Sequence, residues 1–202
     1  MAGIDILTSQ LFVLGFMGLT ICYITIRSYL LFRKGKKNDT SMRSGSIPLA
    51  ALGIYAFVSG LFGQFTWPLV GSYNILYYDI YPLIGLLFVG FALSLHKKLQ
   101  LQYAGFFSLL LGIITVYYGY MGYVAGLSEA PLAVLGLFSL FGFAGILGYP
   151  VTLMFDRASE GQKNKWIGWQ IIIALFWILL VLGSLLAIYI GMAAVPAHLQ
   201  SF

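Results

Sequence analysis

The sequence predicts an all-α polytopic membrane protein, a bundle of six transmembrane helices with both termini outside. Three observations carry that expectation. Of 202 residues, 60% are apolar, 17% aromatic and only 8% charged, whereas an ordinary soluble domain carries roughly 25% charged residues. That is too little charge to cover a soluble globule, and the mean hydropathy of +0.93 agrees. Six apolar stretches are each long enough to cross a bilayer, which takes about 20 residues at 1.5 Å rise. Every lysine and arginine falls on one side of the topology that those stretches define.

The six spans are read at about 6–32, 47–67, 74–95, 103–125, 131–155 and 167–192, within a single transmembrane domain covering 1–202. The first is too long for a cleavable signal peptide, and only Asp5, no basic residue, precedes it. Pro48 and Pro131 are expected in the first turns of the second and fifth spans, where a missing N–H costs nothing. Trp166 and Trp169 mark the start of the sixth span, and Pro196 is expected to stop it. Arg27, Arg33, Lys34, Lys36, Lys37 and Arg43 flank or fill the first loop, Lys97 and Lys98 the third, and Arg157, Lys163 and Lys165 the fifth. These are all eleven basic residues. The positive-inside rule makes the three loops cytoplasmic and both termini extracytoplasmic, in a plasma membrane.

The same placement disposes of a nucleic-acid partner. A net charge of +5 suggests one in isolation, but the charge is spread over three short loops without interleaved aromatics. It is a statement of orientation toward a lipid bilayer. The lone Cys22 allows no intrachain disulfide. His96 and His198 fall on opposite sides, so no shared haem is expected, nor any other cofactor or metal. No hydrolytic triad, phosphate-binding glycine loop or metal-spaced carboxylate pair is present, so the chain is not expected to be an enzyme. Asp156, Arg157 and Glu160 are read as solvated. The 24 glycines suit close helix packing in lipid, as in Ser59/Gly63, Gly122/Gly126 and the run Gly142, Gly145, Gly148. Pro48-Leu49-Ala50-Ala51-Leu52-Gly53 matches Pro131-Leu132-Ala133-Val134-Leu135-Gly136 at five of six positions, three spans apart. That spacing suits an inverted repeat of the transporter kind.

The least ordinary segment, 64–82, joins the second and third spans on the outside. Gln64, Trp67, Tyr73, Asn74, Tyr78 and Asp79 are its candidate substrate- or partner-binding residues. Asp79 lies about a turn inside the membrane edge, beside a kink expected at Pro82. Three readings of it stand open, one of them a contact with a partner chain. At that depth an ionisable residue marks a proton, cation or binding site, with donors near in sequence at Tyr73, Tyr77, Tyr78, Asn74 and Gln64. Alternatively, Asp79 is the N-cap of a helix beginning at Ile80.

Trp67-Pro68, then Gly71-Ser72-Tyr73-Asn74-Ile75, with Asp79 after them and Gly85 in the next helix, resembles domain-of-unknown-function family 981. That resemblance implies a six-span, prokaryotic and largely archaeal plasma-membrane protein and supplies no activity. More distantly, Gly85-Leu86-Leu87-Phe88 resembles a stretch of the six-span urea and amide channels. Two functions follow as expectations. One is a channel or transporter for a small neutral or protonatable solute. The other is a cofactor-free accessory subunit of a larger, for example respiratory, membrane complex. Either implies a homo-oligomer or other membrane subunits as partners.

Overall fold

A computed structural model describes residues 6–34, 39–160 and 167–199. The helices are α1 (Ile6–Arg33), α2 (Asp39–Thr66), α3 (Ser72–Tyr78), α4 (Tyr81–Lys97), α5 (Gln102–Val124), α6 (Pro131–Ser159) and α7 (Ile167–Leu199), and no strand occurs among the described residues. Six segments are long and apolar enough to cross a membrane, α3 and α4 together forming one of them. Lys36, Lys37, Lys163, Lys165 and Trp166 lie outside the described residues, as do Asp5 and the side chain of His198. The described basic residues gather at one end of the bundle, at the ends of α1, α4 and α6 and the start of α2. This is called the basic end below, and the opposite one the α3 end.

Two expectations about proline are corrected. Pro48 stands inside α2, which already begins at Asp39. The polar run before Pro48 continues the helix beyond the apolar stretch, because hydropathy marks the membrane boundary and not the helix start. Pro196 does not stop α7, which runs on to Leu199. The match between the second and fifth spans therefore does not mark equivalent helix starts, since Pro131 does open α6. The third span is also interrupted at Asp79 and Ile80. Pro82 in the first turn of α4 has no N–H for the Tyr78 carbonyl, so α3 stops and α4 restarts.

Around the bundle the helices follow the order α5, α6, α7, α1, α2, α4, with α4 meeting α5 lightly to close the ring. Glycines set the closest crossings. Along α5, Gly105, Gly112 and Gly119 recur every seven residues and face Thr152, the backbone at Gly142 to Ile146, and Phe138 of α6. On α2, Gly53, Gly60 and Gly63 meet Gly85 and Val89, Pro82, and the Tyr78 ring. Gly15 and Gly18 of α1 lie against Ser184 and Ile188 of α7. The expected Gly122/Gly126 pair is corrected: Gly126 has φ +65° with open space beside it, and terminates α5 as a turn residue.

Polar groups lock the ring at points where apolar packing alone gives no register. Trp177 Nε1 of α7 donates to Thr25 Oγ1 of α1 at 2.9 Å. Ser108 Oγ of α5 donates to the Gly145 carbonyl of α6 at 3.0 Å. Asp156 is not merely solvated, as its sequence context suggested. Its two carboxylate oxygens accept the Leu101 and Gln102 amides at 2.9 and 2.8 Å. An acid at the end of α6 thus caps the start of α5. Arg157 lies over the Trp169 ring, 5.7 Å from its centroid.

Candidate functional site

The residues singled out in segment 64–82 are brought to one end of the bundle, but not to one pocket. Trp67 follows α2 with φ +48°, and the following proline prevents the helix from continuing. Its ring is half exposed, as is Tyr73, while Gln64 is partly covered. Tyr78 is buried against Gly63, where any added Cβ would overlap its ring. Asn74, 1% exposed, is a staple: its Nδ2 donates to the Gly63 carbonyl at 3.3 Å, and its Oδ1 accepts the Leu69 amide at 3.2 Å. Asn74→Leu is expected to leave the Leu69 amide of the 67–71 turn unpaired, while the Gly63 carbonyl keeps only its bond from the Trp67 amide. The cost is about 2 kcal/mol, to be read as a lower midpoint in thermal unfolding of the detergent-solubilised protein.

Asp79 is not the N-cap of α4. That position is Ile80, with no side-chain cap bond, and Asp79 instead ends α3, its amide donating to the Ile75 carbonyl. The Asp79 carboxylate accepts a hydrogen bond from Tyr118 Oη of α5 at 3.1 Å. The donors expected from its own segment do not supply this bond. Tyr118 is 39 residues away in sequence, and the light α4–α5 seam brings it near. Gly85, part of the family resemblance, packs within 2.8 Å of the Gly53 carbonyl if a Cβ is added, so it serves the α2–α4 crossing.

Two cavities lie inside the ring. The first, about 60 Å³, sits at the α3 end between α1, α4, α5 and α6, with Leu76 and Tyr77 of α3 on its outer wall. A second, about 110 Å³, continues toward the basic end and is bounded by all six long helices. Leu14, Ile84, Thr115 and Phe141 line both and form the wall between them.

Helix α1 shows how the sequence builds this interior. Leu7, Gln10, Leu14, Met17, Ile21, Thr25 and Ser28 recur every third or fourth residue, hence on one face, and all seven line one or both cavities. From Leu7 to Ser28 is about 32 Å at 1.5 Å per residue, close to the roughly 30 Å of hydrocarbon in a bilayer. The α1 residues that line the two cavities therefore cover a length of helix comparable to the membrane's hydrocarbon depth.

Their walls are apolar with a few polar points. Among the described residues, no Asp, Glu, Lys, Arg or His lines either cavity. Thr25, Thr115 and Thr152 spend their hydroxyl protons on carbonyls one turn back. Ser28 Oγ and both amide atoms of Gln10 are buried without a hydrogen-bond partner. Gln10 went unremarked in the sequence because a single amide in an apolar run looks incidental. The signal was its place in the α1 stripe. Among the described residues no three His, Cys, Asp or Glu side chains gather as a metal site.

Comparison with known proteins adds a family. A family model described as "Protein of unknown function (DUF981)" matches residues 1–201. No curated protein and no solved structure matches the chain.

Proposed function

The chain belongs to the DUF981 family, and from that premise we propose that it is a conduit for a small uncharged solute, which it passes without chemical change. The observation that carries this reading is the pair of adjoining cavities lined by the bundle helices, which share Leu14, Ile84, Thr115 and Phe141. A neutral solute suits the lining, because an ion entering an apolar space without a counter-charge meets a desolvation cost that nothing there offsets. The basic end is assigned to the cytoplasm and both termini to the outside of the plasma membrane, by the positive-inside rule. Supporting the conduit over an accessory-subunit role is the use of the glycine faces. Those of α1, α2, α5 and α6 contact helices of their own chain, which leaves few for a foreign subunit.

The test is solute flux in proteoliposomes followed by stopped-flow light scattering. The wild-type chain is expected to speed equilibration of small neutral solutes such as glycerol or acetamide over protein-free vesicles. Thr115→Phe, which fills the shared wall, is expected to return the rate to the protein-free value. Ile113→Phe, which places the same ring on a half-exposed outer position of the same helix, is expected to leave it unaltered. Wild-type flux no faster than protein-free vesicles for every solute, or full flux in a folded Thr115→Phe, would overturn the reading.

A further inference from the structure

We infer that the α3-end cavity is a binding site for a small uncharged molecule presenting a hydrogen-bond donor and acceptor side by side on one planar carbon. A primary carboxamide and an undissociated carboxylic acid share this chemistry. The inference deepens the conduit reading, on which it rests for the ligand's route through the bundle, while the site itself stands on Gln10.

Gln10 is 3% exposed and lines the cavity, yet neither its Nε2 nor its Oε1 has a hydrogen-bond partner. Burying both halves of an amide unpaired opposes folding by the desolvation of a strong donor and a strong acceptor. An apolar residue of similar volume would avoid that cost, so the amide marks a place where something else completes the pairing. The primary-amide edge offers N–H and C=O about one hydrogen-bond width apart. A molecule whose own edge presents C=O and N–H, or C=O and O–H, closes a planar two-bond ring with it. A carboxylate cannot do so, since it accepts only, and it would bring an uncompensated charge.

The remaining walls fit such a ligand. Leu11, Leu76, Ile80 and Leu137 surround the space with methyl groups that suit a short alkyl tail. At about 60 Å³ the cavity is well below the roughly 150 Å³ that admits benzene, so the tail is one or two carbons. The Tyr81 ring completes the same wall.

Isotope-edited infrared spectroscopy of the full chain in lipid nanodiscs tests this without reference to transport. The probes are acetamide labelled with carbon-13 at the carbonyl, and acetic acid labelled likewise, the acid measured both below and above its ionisation range. A saturable, shifted carbonyl band is expected for the wild type. In Gln10→Leu the affinity is expected to fall about tenfold, as for loss of two net hydrogen bonds, while thermal stability rises because the unpaired amide is gone. Gln10→Met provides a second apolar replacement should leucine disturb packing. Saturation by acetamide alone, or by the acid only below its ionisation range, supports the site and tells the two sources apart. No saturable band, a band indifferent to both Gln10 variants, or binding of acetate above that range would overturn it, as would water as the only occupant. Binding without vesicle flux would leave the site and defeat the conduit, whereas flux indifferent to Gln10 would do the reverse.

Discussion

Gly112→Val is expected to be the most damaging single substitution in the bundle. A Cβ at Gly112 would stand 2.5 Å from the Gly142 carbonyl oxygen, 2.6 Å from the Ile146 amide nitrogen and 3.0 Å from the Gly145 carbonyl carbon. All three are backbone atoms of α6, so no rotamer change relieves the overlap and the helices must separate. In lipid that separation is costly in a particular way. Helices there cohere through close van der Waals packing, without a hydrophobic drive between them. Alanine at Gly112 is expected to cost about 3 kcal/mol and valine more, at the upper end of overpacking effects. Gly90 is the contrast: it is helical and has nothing within 4 Å of its added Cβ. Gly90→Ala is therefore expected to stabilise α4 by about 0.5–1 kcal/mol. Thermal unfolding of the three variants in one detergent checks the order. A Gly112→Ala variant as stable as wild type would show that the α5–α6 crossing is looser than the structure has it.

The span count and the helical class were legible because they depend on local hydropathy, which each segment carries by itself. Four of the six expected spans lie within a few residues of the helix bounds, and α7 runs past the last expected span to Leu199. The second began earlier, at Asp39, since a helix does not stop where the apolar run stops. What escaped the sequence depends on pairing. Gly105, Gly112 and Gly119 form a seven-residue repeat, but their meaning appears only once α6 lies against them. Asp79 invited partners from its own neighbourhood, and its observed donor comes from α5. The cavities require six helices at once, so no local pattern could reveal them. The α1 stripe holding Gln10 was visible as periodicity, yet apolar residues occupy the other faces of α1 as well, which blurs the face.

The two ends of the bundle are held by different chemistry. At the α3 end, the Asn74 amide staples the short helix to α2, and Tyr118 of α5 donates to the Asp79 carboxylate side chain to side chain. At the basic end, an acid from one helix closes the start of another, and both form the tightest pair in the ring. The cavity path runs between these ends, and Leu95, Leu101 and Phe155 lie at its basic-end limit. Leu101 both lines that limit and donates its amide to Asp156, so the cap and the cavity wall share a residue.

Asp156→Ala is accordingly expected to act on stability and on the basic-end limit of the cavity together. The carboxylate accepts two backbone amides that have no intrahelical partner at the start of α5. Its charge also complements the positive end of the α5 dipole. Removing it leaves two donors unpaired and takes away the favourable charge, a loss of about 2–3 kcal/mol. Asp156→Asn keeps one acceptor oxygen and the volume, so it is expected to lose roughly half as much, since capping by asparagine retains the neutral part of the interaction. The lost charge is what separates the two variants from a simple packing defect. Raising salt in the unfolding buffer is expected to narrow the gap between wild type and Asp156→Asn, because the dipole contribution is screened. Equal stability of Asp156→Ala and wild type would mean that water replaces the carboxylate at the α5 start without cost.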